Sequence, residues 1–353
     1  RDGFLQWARV NKSIQTADGY RSALGAAKDS VYEPDFRHIV KKNVASITLG
    51  DLSRVKESIV TRGGAGELKG RGLRQADLTV AAIRSCFRYM LDKPSIYALE
   101  QNVSLGLTNV QESDTANARA DSGLQNRAMT QLEIGAFIYG LEACKNDIAR
   151  LCLFFQLLTG QRRFGAVSST TESFVEHEQY GIVWRIVSKG EAWRALPLGD
   201  MAQDVVRQAK KDFAPYESTY LFPKARRRLK SDDRDGMVNK RTVSKIMETM
   251  REEGGVFHGS PIKPSTHHLR KAFISYFRPR MHSFEVGGEK LRKEDIKMIT
   301  HWNEGRDDTA ALVYDKNDYL DVKLAILKAW ESYCMEGYTL YMQSIQPMLE
   351  AAE

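Results

Sequence analysis

The sequence predicts a mainly α-helical protein of two domains, with one small β-hairpin set into the second. Three observations carry this reading. Apolar residues recur at three- and four-residue spacing through most of both halves. The period changes to two only within residues 174–198. From Thr108 to Asn126 large apolar side chains thin out in favour of Asn, Ser, Thr, Asp, Ala and Gly, which is a linker composition. The expected organisation is therefore a helical domain over residues 1–112, a linker over 113–128, and a second domain over 129–353 that ends in a tail helix.

In the first domain Phe4, Leu5 and Trp7 start an apolar face, and Ser13 or Thr16 caps a helix carrying Tyr20, Leu24 and Ala27. Thr48 to Leu52 opens another helix, with Leu52, Val55 and Ile59 at helical spacing. Arg62 to Arg74 is a glycine-rich basic loop without a Gly-Lys-Ser/Thr, so it is not a nucleotide P-loop. Its glycines let backbone N–H groups approach an anion, which makes Lys69, Arg71 and Arg74 candidate phosphate contacts. Leu78, Ile83, Phe87, Met90 and Leu91 then mark an amphipathic helix, with Arg84 and Arg88 beside the apolar stripe.

The second domain reopens with Thr130 and Glu133 in capping-box spacing, followed by Ile134, Phe137, Ile138 and Leu141. A largely buried helix runs from Ile148 to Leu158 and stops at Thr159-Gly160; Gln161-Arg162-Arg163 follows directly. Cys144 and Cys152 are expected to share a helix face in the core. Tyr180–Val187 and Ala192–Leu198 read as two strands of a hairpin with Lys189 in its turn. Residues 201–252 are mostly helical around a basic interruption containing Arg226, Arg227 and Arg228, further candidates for a nucleic-acid backbone. Pro264 with Ser265 or Thr266 starts a helix that places His267 and Arg270 on one face near its N-terminus, where backbone N–H groups also favour an anion. The adjacent His268 raises the question of zinc, but neither a third ligand nor His-Glu-x-x-His is in evidence. A polar run after His301 leads to a short apolar segment ending in Tyr314.

Composition narrows the class. Of 353 residues 42% are hydrophobic and 27% charged, enough for a sizeable core. Lys and Arg number 52 against 45 Asp and Glu, a surplus of +7 that favours a polyanionic partner, nucleic acid before membrane. Four scattered cysteines with no Cys-x-x-Cys argue against a disulfide framework and structural zinc. No apolar run reaches about 18 residues, so no membrane span is expected. There is no signal-like N-terminus, and the chain opens at Arg1 without a methionine, as expected of a fragment lacking an N-terminal extension.

The ordered set Thr159-Gly160-Gln161-Arg162, Lys189 in a hairpin turn, His267-x-Leu269-Arg270, His301 and Tyr314 resembles the tyrosine recombinases, or phage integrases. The resemblance covers residues 127 to the C-terminus and extends more loosely to the first domain. The segment Tyr314–Leu320 with the helix after it looks most like the integrases of genomic islands and satellite phages. The resemblance implies a helical core-binding domain joined to a mixed α/β catalytic domain. It implies that Tyr314 attacks a DNA phosphodiester to form a covalent 3′-phosphotyrosine, with no cofactor and no metal. Arg162 and Arg270 would grip the non-bridging oxygens with fixed forks of donors. Lys189 would protonate the leaving 5′-hydroxyl, His267 would serve as base and phosphate contact, and His301 would hydrogen-bond the phosphate.

The chain departs from the family pattern at Gly165, where an acidic residue is frequent, and in the interval from His301 to Tyr314, which carries Asn303 to Asp308 as an apparent insertion. Tyr319 is therefore a second candidate nucleophile. A helix is expected from Tyr319 to about Tyr333, with Gly337 interrupting it before a final segment of Tyr338, Leu340, Tyr341, Met342 and Ile345. That segment either packs on its own domain or docks on a neighbouring protomer to build a homotetramer on DNA. The implied partner is double-stranded DNA with specific recombination sites, with room for an accessory DNA-bending protein. The implied location is the cytoplasm of a prokaryote, associated with the nucleoid. Two other readings stay open: a type IB topoisomerase-like enzyme that nicks and religates, and a DNA-binding protein on a recombinase scaffold that no longer cuts.

Overall fold

The computed structural model describes residues 1–27, 33–63, 72–109, 127–187, 193–225, 235–300 and 319–350. The chain divides into two compact units, Arg1–Gly123 and Leu124–Glu353. The linker expected over 113–128 lies, up to residue 126, outside the described residues.

The N-terminal unit is helical. Helix α1 (Asp2–Asn11) buries Phe4 and Ala8, and Phe4 stands within an aromatic cluster with Trp7, Tyr20 and Tyr89. Ser13, not Thr16, caps α2 (Ile14–Ala23): its hydroxyl accepts the Thr16 N–H at 3.2 Å. Helix α3 (Leu49–Gly63) begins with a reciprocal cap in which Asp51 accepts the Thr48 N–H and the Thr48 hydroxyl accepts the Asp51 N–H. Lys42 bonds the same carboxylate at 2.7 Å, and with Thr48 it holds Asp51 well below the usual carboxylate range. Leu52, Val55 and Ile59 are buried as their spacing requires. Helix α4 (Gly72–Leu91) buries Ala76, Val80, Ile83, Phe87 and Met90. Leu78 is 50% exposed, which corrects the expected stripe: the small residues Ala76 and Val80 face the core, and Leu78 lies on the far side.

The C-terminal unit packs around α6 (Asp147–Thr159), a helix buried on nearly every side. It is preceded by α5 (Gln131–Glu142), which carries the complete capping box of Thr130 and Glu133. Gly160 ends α6 at φ +61°, a conformation that suits glycine, and a Cβ there would press on the Phe273 ring. The short α7 (Arg163–Val167) follows. The hairpin is part of a three-stranded antiparallel sheet of β1 (Phe174–His177), β2 (Gly181–Val187) and β3 (Trp193–Pro197), with Trp184 opposite Leu196 and Ile186 opposite Arg194. Sequence reading missed β1, because a four-residue strand ending in Glu176-His177 shows too little alternation. Helices α8 (Asp200–Asp212), α9 (Lys240–Thr249) and α10 (Thr266–Phe277) complete the body. A two-rung ribbon, β4 (Glu285–Val286) and β5 (Glu289–Lys290), precedes α11 (Lys293–Thr300).

The C-terminal helix corrects another expectation. Helix α12 runs unbroken from Leu320 to Glu350, through Gly337. It lies parallel to α5, since Gln131, Gly135 and Tyr139 meet Tyr333, Gly337 and Tyr341 in turn. Gly337 is the point of closest approach: a Cβ on Gly135 would stand 2.5 Å from its carbonyl carbon. The glycine allows two backbones to touch instead of breaking the helix. Trp330 is fully buried, with its indole N–H on the Leu157 carbonyl at 2.8 Å. The cysteines also differ from expectation. Cys152 is buried within α6, whereas Cys144 lies half-buried in the turn after α5, so they share no helix face. Among the described residues no helix is long and apolar enough to cross a membrane.

Candidate active site

The end of α6 and the start of α10 create the site. Because Gly160 takes the left-handed conformation, the chain turns sharply out of the core, and Arg162 emerges exposed as the residue preceding α7. Arg270 comes from α10 and is only 3% exposed. Its guanidinium donates to the Gly160 carbonyl at 3.1 Å and to the Thr300 carbonyl, so it is held between the turn that carries Arg162 and the end of α11. Burial, then the fields of Arg162 and Arg194, lowers its pKa to about 9, which still leaves it charged at neutral pH. Two guanidiniums that repel one another inside a partly buried site form a strong attractor for an anion.

The first turn of α10 separates the two histidines. His268 is 8% exposed, and its Nδ1 accepts the Ser265 N–H at 3.1 Å, closing the helix cap. That bond assigns the ring proton to Nε2. His267 points outward. Partial burial, then Arg270, Lys271 and Arg162, holds its pKa below the usual imidazole value. A neutral imidazole beside two arginines can accept a proton at physiological pH.

Lys189, His301 and Tyr314 lie outside the described residues, as do Lys69, Arg71, Arg226, Arg227 and Arg228. Tyr319, the second tyrosine considered, is half-buried at φ +46° immediately before α12. Arg74 and Arg88 are exposed on α4. Arg84 is half-buried and donates to the Leu107 carbonyl, so it holds the fold of its own unit. The described residues on either side of the arginine run 226–228 pair as a neck: Val238 N–H bonds the Phe222 carbonyl and Lys224 N–H bonds the Gly236 carbonyl, each at 2.8 Å. Asp235 anchors that neck through Ser218 and Thr219, which pull its pKa down to about 2. At Gly165 a Cβ would meet only the edge of Trp184 at 4.0 Å, so there is room for the acidic residue that the chain lacks.

Sequence reading missed several residues near the site. Lys240 stands over the exposed Phe164 ring at 4.3 Å, and Arg163 reaches the Ser244 hydroxyl, so α9 braces the turn after Arg162. Arg194 on β3 and the amides of Gln156 and Gln161 also escaped notice. The signal for Arg194 was a cation inside the otherwise apolar strand Trp193-Arg194-Ala195-Leu196-Pro197.

Neither a family model nor a curated protein sequence matches this chain. Solved structures do. Lambda integrase residues 75–356, a dimer bound to a COC′ core site, superposes with a TM-score of 0.55 at 15% identity, over 90% of this chain and 94% of that one. The fold is that of the tyrosine recombinases. A lambda integrase tetramer bound to a Holliday junction gives 0.54 at 15% identity, over 89% and 76% of the two chains. The XerH site-specific recombinase in a post-cleavage complex with palindromic difH gives 0.55 at 12% identity, over 97% and 82%.

Proposed function

We propose that the protein is a site-specific DNA recombinase that cuts and rejoins strands for integration and excision of a mobile element. The observation that carries this is the convergence of Arg162, Arg270 and His267 at one electropositive point, from segments more than 100 residues apart in sequence. The two carbonyl bonds of Arg270 use two of its five N–H donors and aim the guanidinium plane.

In the proposed reaction the Tyr314 phenolic oxygen attacks phosphorus and the bond to the 5′ oxygen breaks. A free phenol has a pKa of about 10, so its proton must be taken up, and in this reading His267 takes it. Lys189 delivers a proton to the departing 5′ oxygen, and Arg162, Arg270 and His301 stabilise the charge on the non-bridging oxygens. Attack of a 5′-hydroxyl from another strand on the 3′-phosphotyrosine reverses the step and completes exchange. The bond energy stays in the phosphotyrosine, so no nucleotide is consumed.

The substrate is double-stranded DNA, gripped also by the basic segments that contain Lys69, Arg71, Arg74, Arg88 and Arg226 to Arg228. The working form is a homotetramer assembled through the C-terminal part of α12 beyond Tyr341, with room for a DNA-bending partner, in the nucleoid of a prokaryotic host. The test is SDS-resistant capture of a pool of nicked duplexes with randomised centres. The expected result is a covalent adduct that Tyr314→Phe abolishes and Tyr319→Phe retains. The opposite pattern moves the nucleophile to Tyr319. No adduct with the unaltered chain overturns the enzymatic reading. Relaxation of supercoils without exchange between two sites supports the topoisomerase-like alternative.

A further inference from the structure

The helix that ends just before His301 is held by two arginines. The last carbonyls of any α-helix lack intrahelical partners and carry the negative end of its dipole. In α11 the Met298 carbonyl accepts from Arg194 at 2.8 Å, the Ile299 carbonyl accepts from Arg194 and from the Gln161 amide, and the Thr300 carbonyl accepts from Arg270. Arg194 reaches across from β3, the strand that follows Lys189 in the sequence. Its other nitrogen donates to the Gln161 side-chain oxygen at 2.7 Å. Gln161 in turn donates to the Thr159 carbonyl, and its own carbonyl accepts from Gln156, whose amide also reaches Thr266 at 2.8 Å. Gln156 and Gln161 are 1% and 4% exposed, so these bonds form away from water, where leaving one unmade is expensive.

The members of this network share a sequence relation to the site. Gln161 precedes Arg162, Thr266 precedes His267, and Thr300 precedes His301. Each segment that delivers a proposed phosphate ligand is pinned at the adjacent residue. We propose that Arg194, acting with Gln161, is a positioning residue of the strand-cleavage site: it locks the Arg162 turn to the C-terminal end of α11, and so sets the spacing of the groups that hold the phosphate. The assignment to cleavage rests on the recombinase reading; the lock itself does not. The three bonds of Arg194 run to two carbonyls of α11 and to Gln161, and it is through these contacts that it positions its neighbours.

The experiment uses the full chain with Arg194→Met, Gln161→Leu and the double variant. The DNA is a nicked duplex taken from the randomised pool by covalent capture with the unaltered protein. Arg194→Met is expected to bind this duplex with unchanged affinity yet to form the adduct on the order of 100-fold more slowly, the scale of a small misplacement at the reacting centre. Gln161→Leu is expected to do the same, and the double variant to be no slower than the slower single, since both remove one lock. Full-rate adduct formation, a loss that lies in DNA affinity, or losses that multiply in the double variant would each overturn the proposal. Hydrogen exchange gives a second reading without DNA: Arg194→Met should raise exchange at residues 160–163 and 298–300 and leave α5 and α12 protected. If the unaltered protein makes no adduct, the recombinase reading fails, and unchanged exchange at those residues would then sink the lock independently. Should Arg194→Met not fold, Arg194→Lys carries the same comparisons, because a single ammonium cannot span two carbonyls and an amide as the fork does.

Discussion

Gly337 is the place where local and tertiary reasoning give opposite signs. By helix propensity alone, Gly337→Ala in the middle of α12 should add about 1 kcal/mol of stability. The structure opposes this. The new methyl group would lie 3.1 Å from the Gln131 Cγ and closer still to the Gln131 carbonyl oxygen, part of a rigid helix backbone. The helices would have to separate by about 1 Å, an overpacking that typically costs about 1–3 kcal/mol and lies toward the upper end when backbone is the obstacle. The net expectation is a loss of about 1–2 kcal/mol. For a unit of this size each kcal/mol lowers the midpoint by about 2–4 °C, so the C-terminal unit should melt about 2–8 °C lower. Gly135→Ala should be worse, since its methyl group would meet both the Gly337 carbonyl and the Tyr341 Cβ, the latter at 2.8 Å. Gly19→Ala in α2 is the control: nothing lies within 4 Å of its Cβ position, so the propensity gain of about 1 kcal/mol should appear in full. Differential scanning calorimetry of the three variants reads the outcome. If Gly337→Ala and Gly19→Ala shift their transitions in the same upward direction, the glycine-to-glycine crossing is wrong.

Other perturbations test the site and its support. Arg270→Lys keeps the charge but loses the planar fork, and single-turnover adduct formation should fall by roughly 3–4 kcal/mol in transition-state stabilisation, as for loss of a preorganised donor. His267 has a folded pKa below its ordinary 6.5. Its contribution to stability is therefore present above pH 6.5 and lost as the pH falls through the lowered folded value. The melting difference between the unaltered chain and His267→Gln, followed from pH 8 to pH 5, should change sign-consistently across that window, and a pH-independent difference would refute the assigned shift. Trp330→Phe removes the donor to the Leu157 carbonyl and should cost about 1–3 kcal/mol, measured by denaturant unfolding.

Much of the fold was legible because its signals are local. The Thr130–Glu133 cap, the stop at Gly160 and the Ser13 cap each depend on residues within four positions of one another, and each takes the expected form. Features fixed by distant partners were not legible. Gly337 looked like a helix breaker because its meaning lies in Gly135, about 200 positions earlier. Leu78 looked like a core residue because two neighbouring stripes of α4 are both partly apolar, and only the packed partners choose between them. At the site, motif order singled out Arg162, His267 and Arg270 as a candidate set, while the cap made by His268, which leaves His267 exposed, became visible only in the structure. Arg194 stayed hidden because a strand pattern reports alternation and nothing about a carbonyl 104 residues away.

The tied neck beneath the arginine run 226–228 has a consequence for how such a protein changes over generations. Bonds between residues 222–224 and 236–238 hold the two ends of the intervening stretch of chain side by side. Lengthening it is nearly neutral, because closure entropy grows only with the logarithm of loop size. Insertions between the two ends can therefore accumulate over generations at small entropic cost, while the pairing of residues 222–224 with 236–238 is kept.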